Sequence, residues 1–297
     1  MEITIDSGAG FCWGVVRTID KVEEVLNNNK DHSVYVLGQI IHNPQEIFRL
    51  ESEGLKTLTL DDLSKAADEN AKVIIRAHGE PPSTYNNANE LGLDLIDATC
   101  PLVSRLQRRV KEKYDEGWQV VIFGKYEHAE IIGLRGVCND ECIVVDSIEQ
   151  ALESVDFNKK TVLLSQTTMD RPSLQAIKQA MQTKFAELHP DEDIMSVFRL
   201  QDTICHFVSG REDNLKEFAS SNDVVLFVTG KKSSNGKSLY MVVKGVNPHT
   251  YMIEEISEID NSWFDDAQSI GITGATSTPQ WYMEQIKDEL TKRLISN

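Results

Sequence analysis

Short apolar runs recur along the chain, and longer segments with mixed polarity separate them. Runs of this kind are typical of strands that are buried on both faces of a parallel sheet. The predicted strands are Ile3–Ile5, Val34–Leu37, Val73–Ile75, Val120–Phe123, Val162–Leu164, Val224–Val228 and Ile270–Ile272. A polar or glycine-containing segment follows each run, so each predicted strand ends in a loop.

Amphipathic helices are predicted between these strands, and two of them are well marked. Their apolar positions recur at steps of three and four residues, which places them on one helix face. These positions are Val15, Ile19, Val22 and Leu26 in the first helix and Met283, Ile286, Leu290 and Leu294 in the last. Strands that alternate with helices predict an α/β fold with mostly parallel sheets.

Polar side chains follow six of the predicted strands. Ligands of open α/β sheets bind beyond the carboxyl ends of the strands, so these positions are candidates for a binding site. Imidazole, hydroxyl and amide groups near helix N-termini suit a diphosphate. The candidates are His42, His78, His128, Ser233, Asn235 and Ser277. Each histidine taken alone is more often structural than functional, so the prediction depends on the whole set.

Glu130 and Thr167 are the candidate catalytic residues at these strand ends. Glu130 lies two residues after His128, where a carboxyl group could protonate a leaving hydroxyl group. Thr167 follows another strand and could orient a hydroxyl group beside it. The alternative for Glu130 is a surface carboxylate in a chain that is rich in glutamate.

Three cysteines divide the chain into thirds. Asp97-Ala98-Thr99-Cys100 and Asp202-Thr203-Ile204-Cys205 repeat one local pattern, and Cys12 follows Asp6 and a glycine-containing loop. A predicted helix begins after each cysteine, and a helix N-terminus favours the thiolate that binds metal. The wide spacing excludes a ferredoxin-type run or a zinc finger. The alternative is three buried cysteines that act as small apolar residues.

The same division predicts three similar α/β lobes around a central point, each with one cysteine and two strand-end loops. The first lobe spans 13–99, the second spans 100–200, and the third combines 1–12 with 201–297. The remaining cysteines, Cys138 and Cys142, have neither C-x-x-C spacing nor a partner pair, so a structural role is expected.

Composition excludes several classes of function. The chain has 297 residues, a formal charge of −17 and a pI near 4.8, which argues against broad nucleic-acid binding. No apolar run reaches the roughly 18 residues of a membrane span. The N-terminus has the pattern of a strand rather than of a signal peptide. We therefore expect a cytoplasmic protein without nucleic-acid or membrane partners, in which the five cysteines form no disulfide framework.

The segment from Gly230 to Ser238 follows a predicted strand and superficially matches a P-loop. A P-loop needs four residues between its two glycines, so that the backbone N–H groups surround the phosphates in register. Here five residues separate Gly230 from Gly236. Nucleotide hydrolysis is therefore not predicted, although a phosphate-facing loop is still compatible with the sequence.

Taken in order, these motifs resemble the LytB family of 4-hydroxy-3-methylbut-2-enyl diphosphate reductases across nearly the whole chain. Each motif is weak alone, but the ordered set is specific. The set comprises Gly10-Phe11-Cys12-Trp13-Gly14-Val15, His42-Asn43, Ala77-His78-Gly79, Asp97-Ala98-Thr99-Cys100-Pro101, His128-x-Glu130, Gln166-Thr167-Thr168, Asp202-x-Ile204-Cys205, Ser233-Ser234-Asn235 and Gly274-Ala275-Thr276-Ser277-Thr278-Pro279. The chain departs from the usual family pattern at Ala129, Val208 and Glu212.

The resemblance implies three α/β lobes in a pseudo-three-fold arrangement around one central [4Fe–4S] cluster. Cys12, Cys100 and Cys205 would hold the cluster and leave one iron open. The six strand-end candidates named above, together with Ser234, would bind the diphosphate, and Glu130 with Thr167 would serve the hydroxyl end. The implied reaction is reductive dehydroxylation of 4-hydroxy-3-methylbut-2-enyl diphosphate to isopentenyl and dimethylallyl diphosphate, the last step of the non-mevalonate isoprenoid pathway.

Two other functions remain open at this stage. A non-redox [4Fe–4S] dehydratase acting on a phosphorylated hydroxy substrate would need no reductant, and a phosphate-binding or zinc-binding module would have no turnover. For the reductase, no flavin or nicotinamide site is evident in the sequence. We therefore expect electrons from a small ferredoxin- or flavodoxin-type protein, and we expect the enzyme to be a monomer.

Overall fold

Strands and helices alternate along residues 1–295, the part of the chain that the computed structural model describes. The strands of this part, in chain order, are β1 (Glu2–Ile5), β2 (Val34–Leu37), β3 (Leu55–Leu58), β4 (Lys72–Ile75), β5 (Asp94–Asp97), β6 (Gln119–Phe123), β7 (Ile143–Val145), β8 (Thr161–Ser165), β9 (Phe198–Leu200), β10 (Val224–Val228), β11 (Thr250–Ile253) and β12 (Ser269–Gly274). This alternation is the α/β pattern that the sequence predicts.

Helices connect the strands. They are α1 (Trp13–Asn28), α2 (Pro44–Ser52), α3 (Leu63–Asp68), α4 (Pro82–Glu90), α5 (Pro101–Asp115), α6 (Ala129–Val137), α7 (Ile148–Ser154), α8 (Arg171–Leu188), α9 (Ile194–Val197), α10 (His206–Ser209), α11 (Glu212–Ser220), α12 (Ser234–Val246) and α13 (Gln280–Ile295). Short 3₁₀ helices lie at Leu60–Asp62, Ile256–Glu258 and Asn261–Phe264. Among the described helices, none combines the length and the apolar composition that a membrane crossing requires.

The strands form three four-stranded sheets with one common neighbour order. Two sheets have the orders β3-β2-β4-β5 and β7-β6-β8-β9. The third has the order β11-β10-β12-β1, so the first strand of the chain completes the last sheet. Strand pairs whose register is defined in these sheets run parallel. The predicted α/β class with three parallel-sheet lobes is confirmed.

Central strands are buried on both faces, as a parallel sheet between helices requires. Val121 and Phe123 of β6 pack in one apolar cluster with residues of α8. Val120 and Ile122 of the same strand pack on the opposite face with residues of α5 and α6. Because successive strand residues point to opposite faces, a continuous apolar run supplies buried side chains to both clusters.

The predicted strands coincide with all six central strands and with one edge strand, β1. The sequence analysis missed β3, β5, β7, β9 and β11, which all lie at sheet edges. Most of these edge strands carry polar residues, as in Asp94–Asp97 (DLID) and Thr250–Ile253 (TYMI). Both predicted helices are present, since Ile19 and Val22 are buried in α1, and Met283 is buried in α13.

The chain divides into two compact units. Unit 1 comprises Met1–Asn28, Gln39–Lys56 and the segment from His206 onward, and it contains β1 and β10 to β12. Unit 2 comprises Asn29–Gly38 and Thr57–Cys205, and it contains β2 and β4 to β9. The three lobe boundaries inferred from the sequence differ from this division, and they stay a prediction.

Candidate functional site

Cys100 lies in a tight turn between β5 and α5. The Oδ1 atom of Asp97, the last residue of β5, accepts a hydrogen bond of 2.8 Å from the backbone N–H of Thr99. The backbone N–H of Cys100 then donates to the carbonyl oxygen of Ala77, which follows the neighbouring strand β4, over 3.0 Å. Pro101 begins α5, a position where its missing N–H costs nothing. Aspartate and carbonyl together determine the direction in which the chain enters the helix.

Cys205 lies in the equivalent turn after β9. The Oδ1 atom of Asp202 accepts from the backbone N–H of Ile204 over 3.1 Å. The N–H of Cys205 donates to the carbonyl oxygen of Thr167, which follows β8, over 2.8 Å. β9 is the edge neighbour of β8, just as β5 is the edge neighbour of β4. The repeated Asp-x-x-Cys pattern in the sequence is therefore a repeated structure.

Cys12 completes the set with a longer loop. The Oδ1 atom of Asp6 accepts from the N–H of Gly8 over 2.9 Å. The N–H of Cys12 donates to the carbonyl oxygen of Thr276, which follows β12, over 3.0 Å. Gly10, at φ +121°, allows the added residues to turn back. This third copy is not visible as Asp-x-x-Cys in the sequence, because five residues rather than two separate Asp6 from the cysteine.

All three cysteines are reduced and partly exposed. The carbonyl oxygen of Cys12 accepts from the N–H of Val16 over 2.9 Å, and that of Cys100 accepts from the N–H of Ser104 over 3.0 Å. Both cysteines thus stand at the start of a helix, where backbone N–H groups favour negative charge on sulfur. Partial exposure of all three thiols, and a helix start at Cys12 and Cys100, are compatible with the predicted role as metal ligands.

Cys138 and Cys142 have different surroundings. Cys138 is fully buried, and its Sγ donates to the carbonyl oxygens of Leu134 and Arg135 over 3.3 and 3.4 Å. Cys142 packs against the same apolar cluster. These contacts fit the structural role that the sequence suggests.

A cavity of about 420 Å³ opens beside Cys12 in unit 1. Arg211 lines it and donates to the Oδ2 atom of Asp6 and to the carbonyl oxygen of Gly274, each over 3.2 Å. Burial lowers the pKa of the Arg211 guanidinium, and the charge of Asp6 opposes that shift. Arg211 therefore holds together the ends of β1 and β12 from which the Cys12 and Thr276 loops leave. The sequence analysis did not identify Arg211 as a site residue.

In unit 1, the hydroxyl and amide side chains after β10 meet the loop after β12. The Oγ atom of Ser233 accepts from the N–H of Gly236 over 3.0 Å and caps α12. Asn235 donates from Nδ2 to the Oγ1 atom of Thr276. Ser234 and Asn235 are buried. This segment is a capped helix start, so the structure agrees with the rejection of a P-loop.

His42 lies against the same segment. A Cβ atom on Gly230 would lie 2.1 Å from the carbonyl oxygen of His42, so only glycine permits the observed approach. Asn43 caps α2, and its Oδ1 accepts from the N–H groups of Gln45 and Glu46, both over 3.1 Å. Asn43 therefore acts as a helix cap, and the predicted ligand of this motif is the neighbouring His42. Sequence reasoning did not assign the cap.

The segments that follow β10 and β12 contain two buried polar atoms that have no hydrogen-bond partner within residues 1–295. They are the Oγ atom of Ser277 and the Oδ1 atom of Asn235. A buried polar atom without a partner is costly, and native proteins rarely keep one without a reason. Both atoms belong to residues that the sequence analysis assigned to a diphosphate, and an anionic ligand would satisfy the Ser277 hydroxyl.

In unit 2, the rings of His78 and His128 meet edge to face, with centroids 5.2 Å apart. The Nδ1 atom of His128 accepts from the N–H of Glu130 over 3.2 Å. This bond leaves the proton of the neutral imidazole on Nε2, which makes that atom a hydrogen-bond donor. Gly79, at φ +70°, provides the left-handed turn immediately after His78.

Glu130 is buried, and two hydrogen bonds from Thr167 hold its carboxyl group. The N–H of Thr167 donates to Oε1 over 2.7 Å, and its Oγ1 lies 2.6 Å from Oε2. Burial raises the pKa of Glu130 to about 7, against the lowering effect of the two Thr167 hydrogen bonds. The neutral acid therefore stabilises the fold at low pH, and this contribution is lost as the pH rises through about 7. Such a carboxyl group can hold and release a proton near neutrality.

Two charged residues flank His78, the partly buried Arg76 and the buried Glu80. Arg76 and Glu80 form an ion pair, with Nη2 and Oε1 3.1 Å apart. Burial raises the pKa of Glu80, while Arg76 opposes the shift. A Cβ atom on Gly38 would lie 2.4 Å from Nη1 of Arg76, so the guanidinium packs directly on that turn. The spacing of four residues between Arg76 and Glu80 is the only feature of the sequence that indicates this ion pair, and the pair was not predicted.

The predicted site residues thus gather within each unit. Those of unit 1 are Cys12, His42, Ser233, Ser234, Asn235 and Ser277. Those of unit 2 are His78, Cys100, His128, Glu130, Thr167 and Cys205. In both units the thiol-bearing turns follow edge strands, and the polar site residues follow central strands of the sheets.

The fold and the site define a class: a three-sheet α/β protein with thiol, imidazole, hydroxyl and carboxyl groups beyond the carboxyl ends of its strands. The family model described as LytB protein matches residues 3–291. The chain therefore belongs to the LytB family, as the ordered motifs indicate.

Relatives of known name match almost the whole chain. A protein of Chloroherpeton thalassium is 44% identical over 98% of this chain and 96% of its own length. Another, from Bacteroides thetaiotaomicron, is 44% identical over 98% of both chains. Both are named 4-hydroxy-3-methylbut-2-enyl diphosphate reductase.

Two solved structures also resemble this chain. The structure of (E)-4-hydroxy-3-methyl-but-2-enyl diphosphate reductase, described as the terminal enzyme of the non-mevalonate pathway, is 34% identical with a TM-score of 0.70 over 98% of this chain and 100% of that chain. The reductase structure from Plasmodium falciparum is 27% identical with a TM-score of 0.85, over 98% of this chain and 88% of that chain.

We predict that Gly230→Ala destabilises the protein by about 1 to 3 kcal/mol, because the added Cβ must displace the His42 carbonyl. The matched control is Gly245→Ala in α12, where an added Cβ meets nothing within 4 Å. Thermal unfolding of both variants measures the difference. Equal melting temperatures for the two variants would contradict the close packing of His42 on Gly230.

Proposed function

We propose that this chain reduces 4-hydroxy-3-methylbut-2-enyl diphosphate to isopentenyl and dimethylallyl diphosphate by reductive dehydroxylation. The observation that carries the proposal is the turn that occurs three times, each time placing a reduced cysteine at the carboxyl end of a strand. The relatives that match the whole chain are named for this reductase activity. Anion-binding and proton-donating groups lie at equivalent strand ends.

Membership of the LytB family implies an iron–sulfur cofactor. We propose that it is one [4Fe–4S] cluster with Cys12, Cys100 and Cys205 as its three protein ligands and one open iron site. The donor set fits, because all three thiols are reduced and none lies in a wholly apolar core. When bound, such a cluster supplies electrons and an iron atom that polarises the substrate hydroxyl group.

The diphosphate would be bound by neutral donors rather than by a cluster of arginines. Ser277 offers a buried hydroxyl group without a partner within residues 1–295, and Asn235 is held beside it through Thr276. The Nε2–H group of His128 is a further donor. The full proposed set is His42, His78, His128, Ser233, Ser234, Asn235 and Ser277. Such local donors let a protein with a formal charge of −17 bind an anion.

Glu130 and Thr167 would deliver the proton that converts the leaving hydroxyl group to water. Because Oε1 of Glu130 already accepts the backbone N–H of Thr167, the carboxyl proton belongs on Oε2. From there it reaches Oγ1 of Thr167, 2.6 Å away. The threonine hydroxyl group can pass its own proton onward as it receives this one.

An external reductant must supply the electrons, and a ferredoxin- or flavodoxin-type protein is the proposed donor. The expected monomeric state and cytoplasmic location stay predictions.

The reaction is tested by anaerobic assay of the reconstituted protein with the hydroxylated allylic diphosphate, with and without a chemical reductant. We expect both isomeric products only when the reductant is present, because replacing the C–OH bond by a C–H bond, with release of water, consumes two electrons and two protons. Product formed at the same rate without reductant would instead identify a non-redox dehydratase. No turnover in either arm would contradict an enzymatic role for the holoprotein.

We predict that Glu130→Gln lowers turnover by about 10² to 10⁴-fold, because glutamine cannot release a proton. Wild-type turnover should fall as the pH rises through about 7, where Glu130 ionises. The residual activity of the variant should lack this limb of the pH profile.

Glu127→Gln is the control, since Glu127 is exposed in the turn that leads into α6, three residues before Glu130. That variant should keep both the rate and the pH profile of the wild type. A fully active Glu130→Gln variant with an intact cluster spectrum would reject the acid role.

A further inference from the structure

Glu46 is a buried carboxylate of unit 1 that the proposed reaction does not use. Glu46 is in the first turn of α2 and is fully buried. It follows His42 by four residues, and its backbone N–H donates to the Asn43 cap. A carboxylate is favoured near a helix N-terminus, but this effect alone does not require burial.

Both oxygens of the Glu46 carboxylate are occupied. Oε2 accepts from Nε1 of Trp281 over 2.8 Å and from Nε of Arg49 over 3.0 Å. Oε1 accepts from Nη2 of Arg49 over 2.5 Å. Arg49 thus binds the carboxylate through two nitrogens, and the indole N–H supplies a donor from another helix. This geometry is the charge-assisted, two-point kind that fixes direction as well as distance.

The network continues from Arg49 to a third helix. Nη2 of Arg49 also donates to Oε1 of Glu23 on α1 over 2.6 Å. Nη1 donates to Oε1 of Glu53, just after α2, over 2.8 Å. The hydrogen bonds that Arg49 donates to Glu46 raise the pKa of Arg49, so the guanidinium stays charged. The three helices α1, α2 and α13 are joined through this pair.

Stability alone does not account for a buried charge at this position. Moving a carboxylate out of water is expensive, and apolar residues of similar size often replace buried ion pairs without loss. The contacts instead have a geometric effect, because Glu46 and Trp281 lie in the first turns of α2 and α13. His42 immediately precedes the cap of α2, and Ser277 lies three residues before α13 begins.

We propose that Glu46 is a positioning residue that sets the separation of His42 and Ser277, two of the proposed diphosphate ligands, by bonding Trp281 across the two helix starts. This inference rests on the proposed function. Glu46 touches neither the substrate nor the reacting atoms, so its effect is on binding of the diphosphate end. The acid pair Glu130 and Thr167 lies in the other unit and is not part of the network.

The test compares Glu46→Gln and Trp281→Phe with the wild type in the anaerobic reductant assay. Each change should raise the KM for the allylic diphosphate about tenfold with kcat changed less than twofold, the pattern expected when binding common to substrate and transition state is lost. Glu46→Gln removes the carboxylate that pairs with Arg49 and accepts from Trp281, so the double variant should be little worse than Glu46→Gln alone.

Glu53→Gln is the matched control, because it removes an exposed carboxylate from the same arginine. Its KM should equal that of the wild type. A second readout is binding of inorganic diphosphate to the anaerobic holoprotein by calorimetry, which should weaken in Glu46→Gln and Trp281→Phe but not in Glu53→Gln.

A lower melting temperature with unchanged KM and unchanged diphosphate affinity would overturn the inference and leave Glu46 a structural residue. A fall in kcat as large as the fall in kcat/KM in these variants would also overturn the inference. Trp281→Phe keeps the charge of Glu46 and an aromatic ring, so it still tests the inference if Glu46→Gln does not fold. Wild-type turnover in the same assay tests the proposed function separately. The calorimetric comparison of diphosphate binding does not depend on turnover.

Discussion

A backbone hydrogen bond from each candidate cysteine to a carbonyl at the end of the neighbouring strand determines where the thiols lie. The acceptors belong to Ala77, Thr167 and Thr276, and the distances are between 2.8 and 3.0 Å. In each case the cysteine follows the edge strand of a sheet, and the acceptor follows the strand beside it. Parallel strands end on one side of a sheet, so the turn places sulfur beside the other strand-end residues.

This arrangement explains why one sheet order serves the whole chain. The neighbour order of β2 to β5 recurs in β6 to β9, and it recurs again in β10 to β12 with β1 as the closing strand. An aspartate opens the turn in all three cases, and its side chain accepts the N–H two residues later. The repeat therefore preserves the geometry around the thiol, while the residues at the other strand ends differ. Those differences supply histidines, hydroxyl groups or the acid Glu130.

Much of this architecture is predictable from the sequence, and the exceptions have physical reasons. Central strands are continuous apolar runs because both faces are buried, whereas edge strands such as Asp94–Asp97 carry charges and give no such signal. The cysteines, histidines and serines were found because they follow strands. The pKa of Glu130 could not be predicted, since it depends on burial and on Thr167, 37 residues away. The bond between Glu46 and Trp281 spans 235 residues and leaves no local pattern.

The central claim is that Cys12, Cys100 and Cys205 hold one cluster together. It is tested most directly by measuring iron and sulfide per chain in anaerobically purified single serine variants of all five cysteines. We expect about four iron and about four sulfide ions per chain in the wild type and in Cys138→Ser and Cys142→Ser. We expect loss of the cluster in the serine variants of Cys12, Cys100 and Cys205, as their proposed shared role requires. A full complement of iron and sulfide in any one of those three variants would contradict it.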